Sequence, residues 1–233
     1  MQQHISEVER DLARRMIQMA ELRDQTAHAH MRRVAEVSVR LYNHWAQRRG
    51  LPQNEQERQV ELLRTAAMLH DIGNVGIPDT VLKKPGKLTP EERALMETHT
   101  LIGAATLIGA KTALDDAIYN VTLFHHARWD GLGYPSRANV VRSLGQGARG
   151  LNEAQDIRGE SIPLFARIVS IAEVFDALLS PRVYREPWPP ERVQTTIAAD
   201  AGTRFDPELV QLFIAHFDEM CRARAMFVDC CGT

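Results

Sequence analysis

The stretch Leu62–Thr89, LLRTAAMLHDIGNVGIPDTVLKKPGKLT, decides how the rest of the chain is read. Its first part, Leu62–Ile72, is rich in Leu, Ala and Met and predicts a helix, with Gly73 expected to close it in a left-handed turn. The second part, with Gly76, Pro78, Pro85 and Gly86, predicts a shaped loop. His70 and Asp71 fall at the junction, in the last turn of an otherwise apolar helix. A carboxylate beside an imidazole in such surroundings costs several kcal/mol unless something compensates it, and a metal ion is the usual compensator. For an isolated pair, a core histidine hydrogen-bonded to Asp71 is the commoner outcome.

The pair is not isolated. His99 ends the helical stretch EERALMETH, the adjacent His125 and His126 end another apolar helix, and Glu173 and Asp176 lie in IAEVFDAL. Histidines and carboxylates on the inner stripes or ends of different helices fit a multinuclear nitrogen and oxygen metal site. Adjacent helical residues point about 100° apart, so His125 and His126 can meet one cluster only from the end or edge of their helix.

At these residues the chain resembles a known family. HDIGNVGIPD (70–79), KPGKLTPEE (84–92), HHARWDGLGYP (125–135) and IPLFARIVSIAEVFDALLSPRVYRE (162–186) are similar to the motif series of the HD-GYP family, bacterial metal-dependent phosphodiesterases of the HD superfamily that open cyclic di-GMP. The similarity runs from about Arg23 to about Phe217 in family order. It implies an all-α HD-superfamily helical bundle over residues 24–222, preceded by an N-terminal linker helix over 1–23 and followed by a tail over 223–233. It also implies metal ligation by His30, His70, Asp71, His99, His125, His126 and Glu173, with Asp71 bridging and His70 and Asp71 catalytic. Tyr134, Gly133, Arg182, Arg185, Asn74 and Asp24 are the implied substrate contacts. The cofactor is two divalent ions, iron or manganese first, with zinc, cobalt and nickel compatible with the same donors. The product is linear pGpG, or GMP where a second hydrolysis follows.

Four positions depart from the family pattern. Thr26 stands where a metal-binding Glu would be, which favours two metals over three; Asn74 replaces a lysine near the phosphate; Ala127 replaces a glutamate after the histidine pair; and Glu173 replaces a metal-binding aspartate. These departures give substance to a different class of function, an adaptor that binds the dinucleotide, or a diguanylate cyclase (GGDEF) partner through the GYP loop, with little turnover. Another cyclic dinucleotide, such as cyclic GMP-AMP, is the alternative substrate. His28 is an unmatched extra, expected at the surface.

Outside the motifs, Ile5, Val8, Leu12, Met16 and Met19 make residues 5–22 an amphipathic helix with Arg15 on its seam. It is expected either to pair with its twin in a homodimer or to pack on the main body. In the family such a helix joins the domain to an upstream sensor or receiver, so the chain reads as a fragment or as a protein regulated by a separate chain. Residues 136–160, SRANVVRSLGQGARGLNEAQDIRGE, read as an insertion: a disordered surface excursion, or a lid whose Arg137, Arg142, Arg149 and Arg158 suit a phosphate-bearing ligand. Residues 190–199 and 207–222 predict two closing helices.

Composition bounds the rest. With 233 residues, 44% of them hydrophobic, the chain can bury one large core. It contains no run long enough for a membrane span and no apolar signal-peptide core. A formal net charge of -2 argues against bulk nucleic-acid binding. Cys221, Cys230 and Cys231 lack zinc-type spacing and suggest free thiols in a reducing cytoplasm. GxxxxGK, HExxH and GxSxG motifs are absent.

Overall fold

The computed structural model describes residues 5–23, 27–109, 112–145, 156–181 and 186–227. Asp24, Thr26, Arg149, Arg182, Tyr184, Arg185, Cys230 and Cys231, singled out above, lie outside them. The described residues are all-α, in the order α1 (Glu7–Arg23), α2 (Ala27–Arg48), α3 (Gln53–Met68), α4 (Asp79–Leu82), α5 (Pro90–Glu97), α6 (His99–Ala105), α7 (Ala113–Phe124), α8 (Arg137–Leu144), α9 (Leu164–Leu179), α10 (Pro190–Ala199), α11 (Pro207–Ala215) and α12 (Phe217–Ala225). Short 3-10 turns occupy Ile72–Gly76 and Gly159–Ser161.

The centre of the bundle is α2, α3, α7 and α9, which pack on one another through their apolar faces. Val34, Val37 and Leu41 of α2, Leu63 and Ala66 of α3, Val121 and Leu123 of α7, and Ile168, Ile171 and Phe175 of α9 are all fully buried. Removing a side chain of this size from such a core costs about 2–5 kcal/mol. Phe175, Phe213 and Phe217 pack edge to face with centroids 5.1–5.9 Å apart and lock α11 and α12 onto α9.

Sequence signals place several helix starts. Thr89 caps α5 by accepting from the Glu92 amide, while Glu92 accepts in return from the Thr89 amide, with Pro90 at the first helical position. Thr112 and Asp115 make the same reciprocal cap on α7.

The structure departs from the sequence reading in four places. The helix after Leu62 stops at Met68, and Gly73 does not terminate it with a positive φ. Gly73 is instead required by close packing: a Cβ there would meet the His99 carbonyl oxygen at 1.8 Å. The segment following it holds the short helix α4. The closing segment 207–222 divides at His216 into α11 and α12, and α12 runs on to Ala225, into the stretch taken as tail. Within the insertion, 137–144 form α8, capped by Ser136 and anchored by the buried Val140 and Leu144.

Candidate metal centre

Ending α3 at Met68 turns His70 and Asp71 inward. Gly73 and Gly103, lacking side chains, let the following 3-10 turn sit directly on the start of α6; a Cβ on Gly103 would meet Thr122 Cγ2 at 2.4 Å. Thr122 also donates to the Leu69 carbonyl at 3.3 Å, tying α7 to the same turn. The result brings His99, first residue of α6, and His125, just past α7, over Asp71. His126 follows beyond the helix end, which is how two adjacent histidines reach one cluster. His30 comes from α2 and Glu173 from α9.

Asp71 lies at the middle. Its Oδ1 is 3.2 Å from His99 Nε2 and 3.6 Å from His125 Nε2, and its Oδ2 is 3.6 Å from His70 Nε2. Two groups of candidate ligand atoms share this carboxylate: Asp71, His99, His125 and His126 on one side, and His30, His70 and Asp71 on the other. Glu173 Oε2 lies 3.7 Å from His126 Nδ1.

Hydrogen bonds set the tautomers. His70 Nδ1 donates to the Ala67 carbonyl at 2.7 Å, His99 Nδ1 to Met96 at 2.8 Å, and His125 Nδ1 to Val121 and Thr122 at 3.0 and 3.1 Å. A carbonyl only accepts, so in the neutral rings each Nε2 carries its lone pair inward. His99 Nε2 and His125 Nε2 then face each other at 3.3 Å as two acceptors, and His70 Nε2 and Glu173 Oε2 are buried with no hydrogen-bond partner. Converging lone pairs repel unless a cation sits among them. Fixing ligand imidazoles through Nδ1 is also the usual supporting arrangement of metal sites.

His30 is held differently. Its Nδ1 lies 2.8 Å from Asp176 Oδ2, and the fully buried Asp176 takes further hydrogen bonds from Arg33 Nε at 2.6 Å and Arg224 Nε at 2.7 Å. Burial would raise the Asp176 pKa; His30, Arg33 and Arg224 reverse this and hold it far below the usual carboxylate range.

Electrostatics set the charge of each donor. Burial alone would raise Asp71, but the imidazoles, His70 foremost, hold it well below its usual value; Glu173 is lowered against burial by His126, His125 and His70. Burial lowers His70, and it lowers His126 to about 3, which keeps both rings neutral. For His30 and His99 burial is outweighed by hydrogen bonds and charge from Asp176 and Asp71 respectively, so both are raised. Ionised carboxylates, inward lone pairs and unpaired buried polar atoms fit divalent cations of the nitrogen and oxygen type.

The loop beside the cluster is equally constrained. A Cβ on Gly133 would meet the His126 carbonyl oxygen and the Arg128 amide nitrogen at 2.5 Å. That close approach lays the Tyr134 ring on His126, with centroids 4.6 Å apart and planes 29° apart. Asp130 takes a fork of hydrogen bonds from Arg128 at 3.0 and 2.6 Å and accepts from the Leu132 amide, which shapes the turn. The HD domain family model matches residues 28–178.

The chain belongs to the HD domain family.

Within it, the Gly133-Tyr134-Pro135 loop beside the histidine pair is that of the HD-GYP branch. Among curated relatives, this HD-GYP chain is 34% identical over 225 residues to a 3'3'-cGAMP-specific phosphodiesterase 2 of Vibrio cholerae, covering 97% of this chain and 38% of the relative. It is 36% identical over 219 residues to a cyclic di-GMP phosphodiesterase of the same organism, covering 91% and 40%. The chain thus spans less than half the length of either. Among solved structures, the HD domain of the L. monocytogenes phosphodiesterase PgpH, in complex with cyclic-di-AMP, matches with a TM-score of 0.55 at 14% identity, covering 94% of this chain and 99% of that one.

The HD-GYP cluster draws together His30, His70, Asp71, His99, His125, His126 and Glu173. Asn74 sits in the adjoining 3-10 turn, its Oδ1 buried without a partner. His28 stays outside, paired with Glu21 at 2.5 Å. Sequence reasoning missed Arg224, left in an unassigned tail, because only the packing of α12 on α2 brings it to Asp176. It also missed a second grouping, His44, His216 and Glu219, far from any motif.

Proposed function

We propose that this chain is a metal-dependent phosphodiesterase that hydrolyses cyclic di-GMP to linear pGpG, with GMP the product only if a second hydrolysis follows. The observation that carries this reading is the sharing of Asp71 between two groups of inward-facing donors, the arrangement that would hold two divalent ions side by side. His30, His70 and Asp71 would hold one ion, and Asp71, His99, His125 and His126 the other, with Glu173 completing the set; iron or manganese suits these donors first. Bound there, such a pair supplies an activated water at neutral pH and neutralises the non-bridging oxygens of a phosphodiester.

The protein's own part is to bind and orient. Tyr134, immobilised on His126, offers a stacking face for a guanine base, and Gly133 lets the backbone come close to it. Asn74 offers a neutral hydrogen bond where relatives of this motif series carry a charge, which lowers the expected rate. Asp24, Arg182 and Arg185 complete the proposed substrate contacts.

The test is incubation of the manganese-loaded chain with cyclic di-GMP and chromatography of the products, with His70→Ala and Asp71→Ala as controls. Linear product that disappears in both variants supports the hydrolase. Binding without turnover by the fully loaded chain favours the adaptor, for which a diguanylate cyclase docking at the GYP loop is the partner to try. The likeness to a relative named for cyclic GMP-AMP makes that dinucleotide the second substrate to assay, at equal concentration.

α1 is proposed as a homodimer seam. Ile5 and Ala13 bury one side against the body, and Arg10 pairs with Glu61 at 2.6 Å, while Val8, Leu12, Met19 and Leu22 stand 78%, 56%, 64% and 82% exposed at heptad spacing around Arg15. Sedimentation of Leu12→Glu/Leu22→Glu against the unsubstituted chain tests it: loss of a dimer supports the seam, and a monomer in both removes it. No described helix is long and apolar enough to cross a membrane; cytoplasmic placement, and a sensor or receiver acting through α1, complete the proposal.

A further inference from the structure

A second convergence of imidazole and carboxylate lies at the other end of α2. His44 comes from α2, His216 from the junction of α11 and α12, and Glu219 from the first turn of α12. One ligand atom from each lies within 4.8 Å of the others. His44 Nε2 is 2.8 Å from Glu219 Oε2, and the two imidazole rings are stacked at 3.5 Å with planes 9° apart.

We propose that His44, His216 and Glu219 form a second divalent-cation site of the zinc class, independent of the function proposed for the cluster around Asp71.

Three observations support it. The stack holds the His216 ring against the His44 ring, beside the same carboxylate. His44 Nε2 and Glu219 Oε2 share a hydrogen bond whose proton an ion would displace, so binding would release a proton. The triad is also reachable: the His44 and Glu219 side chains are 17% and 33% exposed, beside a shallow pocket of about 250 Å³ lined by Gln194, His216, Asp218, Glu219 and Arg222. Water can therefore enter with the ion and complete its coordination. Arg40 is engaged by Glu36 at 3.0 Å and lies 3.9 Å from Glu219 Oε1, while Oε2 is the oxygen that meets His44. Two imidazoles with one carboxylate select zinc, nickel or cobalt over magnesium or calcium.

The position gives such an ion a consequence. His30 and His44 lie on one helix, about four turns or about 21 Å apart. α12, nine residues long, carries both Glu219 of this site and Arg224, which pairs with Asp176, the carboxylate that orients His30. A cation joining α2 to α12 through the triad would clamp the helix that carries Arg224 and so steady the support of His30.

The test is equilibrium dialysis of the full chain against micromolar zinc, with metal analysis and thermal unfolding with and without zinc. His216→Ala and Glu219→Gln are each expected to bind one equivalent fewer per chain, with at least a tenfold loss of affinity for that equivalent, and to lose part of the zinc-dependent rise in Tm. Asp218→Asn, beside the site, is expected to match the unsubstituted chain. The partly exposed positions of the triad allow folding to be checked by the zinc-free Tm, and His44→Gln provides a third variant should either of the first two unfold. An unchanged zinc count in the folded triad variants overturns the proposal, and so does an equal loss in Asp218→Asn.

Discussion

Asp176 takes the outward nitrogen of His30: its Oδ2 lies 2.8 Å from His30 Nδ1. This leaves His30 Nε2 to face the cluster, while Arg33 and Arg224 neutralise the buried carboxylate from the other side. Asp176→Asn removes the charge yet leaves two arginines around a buried amide. Breaking a buried ionic group in this way costs about 3–5 kcal/mol. Urea denaturation is expected to show a loss of that size. Metal affinity should fall about 10–100-fold, since His30 would lose its orientation. Arg224→Gln should follow the same direction with a smaller loss, because Arg33 still holds Asp176.

Gly73 is a steric requirement of the site. With the His99 carbonyl oxygen 1.8 Å from where a Cβ would be, Gly73→Ala must push α6 away from the Asp71 turn. The expected outcome is a stability loss of more than about 2 kcal/mol with weakened metal binding. Gly86→Ala is the matched control, since nothing lies within 4 Å of its Cβ position and its φ is not positive. Equal behaviour of the two variants in thermal unfolding and metal analysis would refute the packing argument.

The metal-free protein should be acid-sensitive through His126. Its folded pKa is lowered to about 3 by burial, against about 6.5 unfolded. Between those values the unfolded chain binds the extra proton, so stability falls as pH drops below about 6.5. By pH 5 this one ring costs roughly 2 kcal/mol. His126→Gln removes that contribution. Denaturation of chelator-treated protein at pH 7 and pH 5 should therefore show a smaller drop for the variant than for the unsubstituted chain, even though His70 adds a loss in the same direction to both and the raised His30 and His99 oppose it.

What could be read in the sequence depended on how local each cause is. His70 and Asp71 at the end of an apolar helix, the paired His125 and His126, Glu173 in an apolar helix and the Thr89 cap are short-range patterns, and the family resemblance added His30. The purpose of Gly73 was not legible, because the atom it avoids belongs to His99. α8 was hard to see because only Val140 and Leu144 anchor an otherwise polar turn sequence. His44, His216 and Glu219 sit in ordinary amphipathic stretches far apart in the chain, and nothing short of the folded α2, α11 and α12 brings them together.

The shared position of Asp71 is best tested by counting manganese per chain after reconstitution and desalting. Two equivalents are expected in the unsubstituted chain, and Asp71→Asn should lose both together, whereas His126→Ala should retain one. An Asp71→Asn chain that is folded and still holds two equivalents would contradict the account.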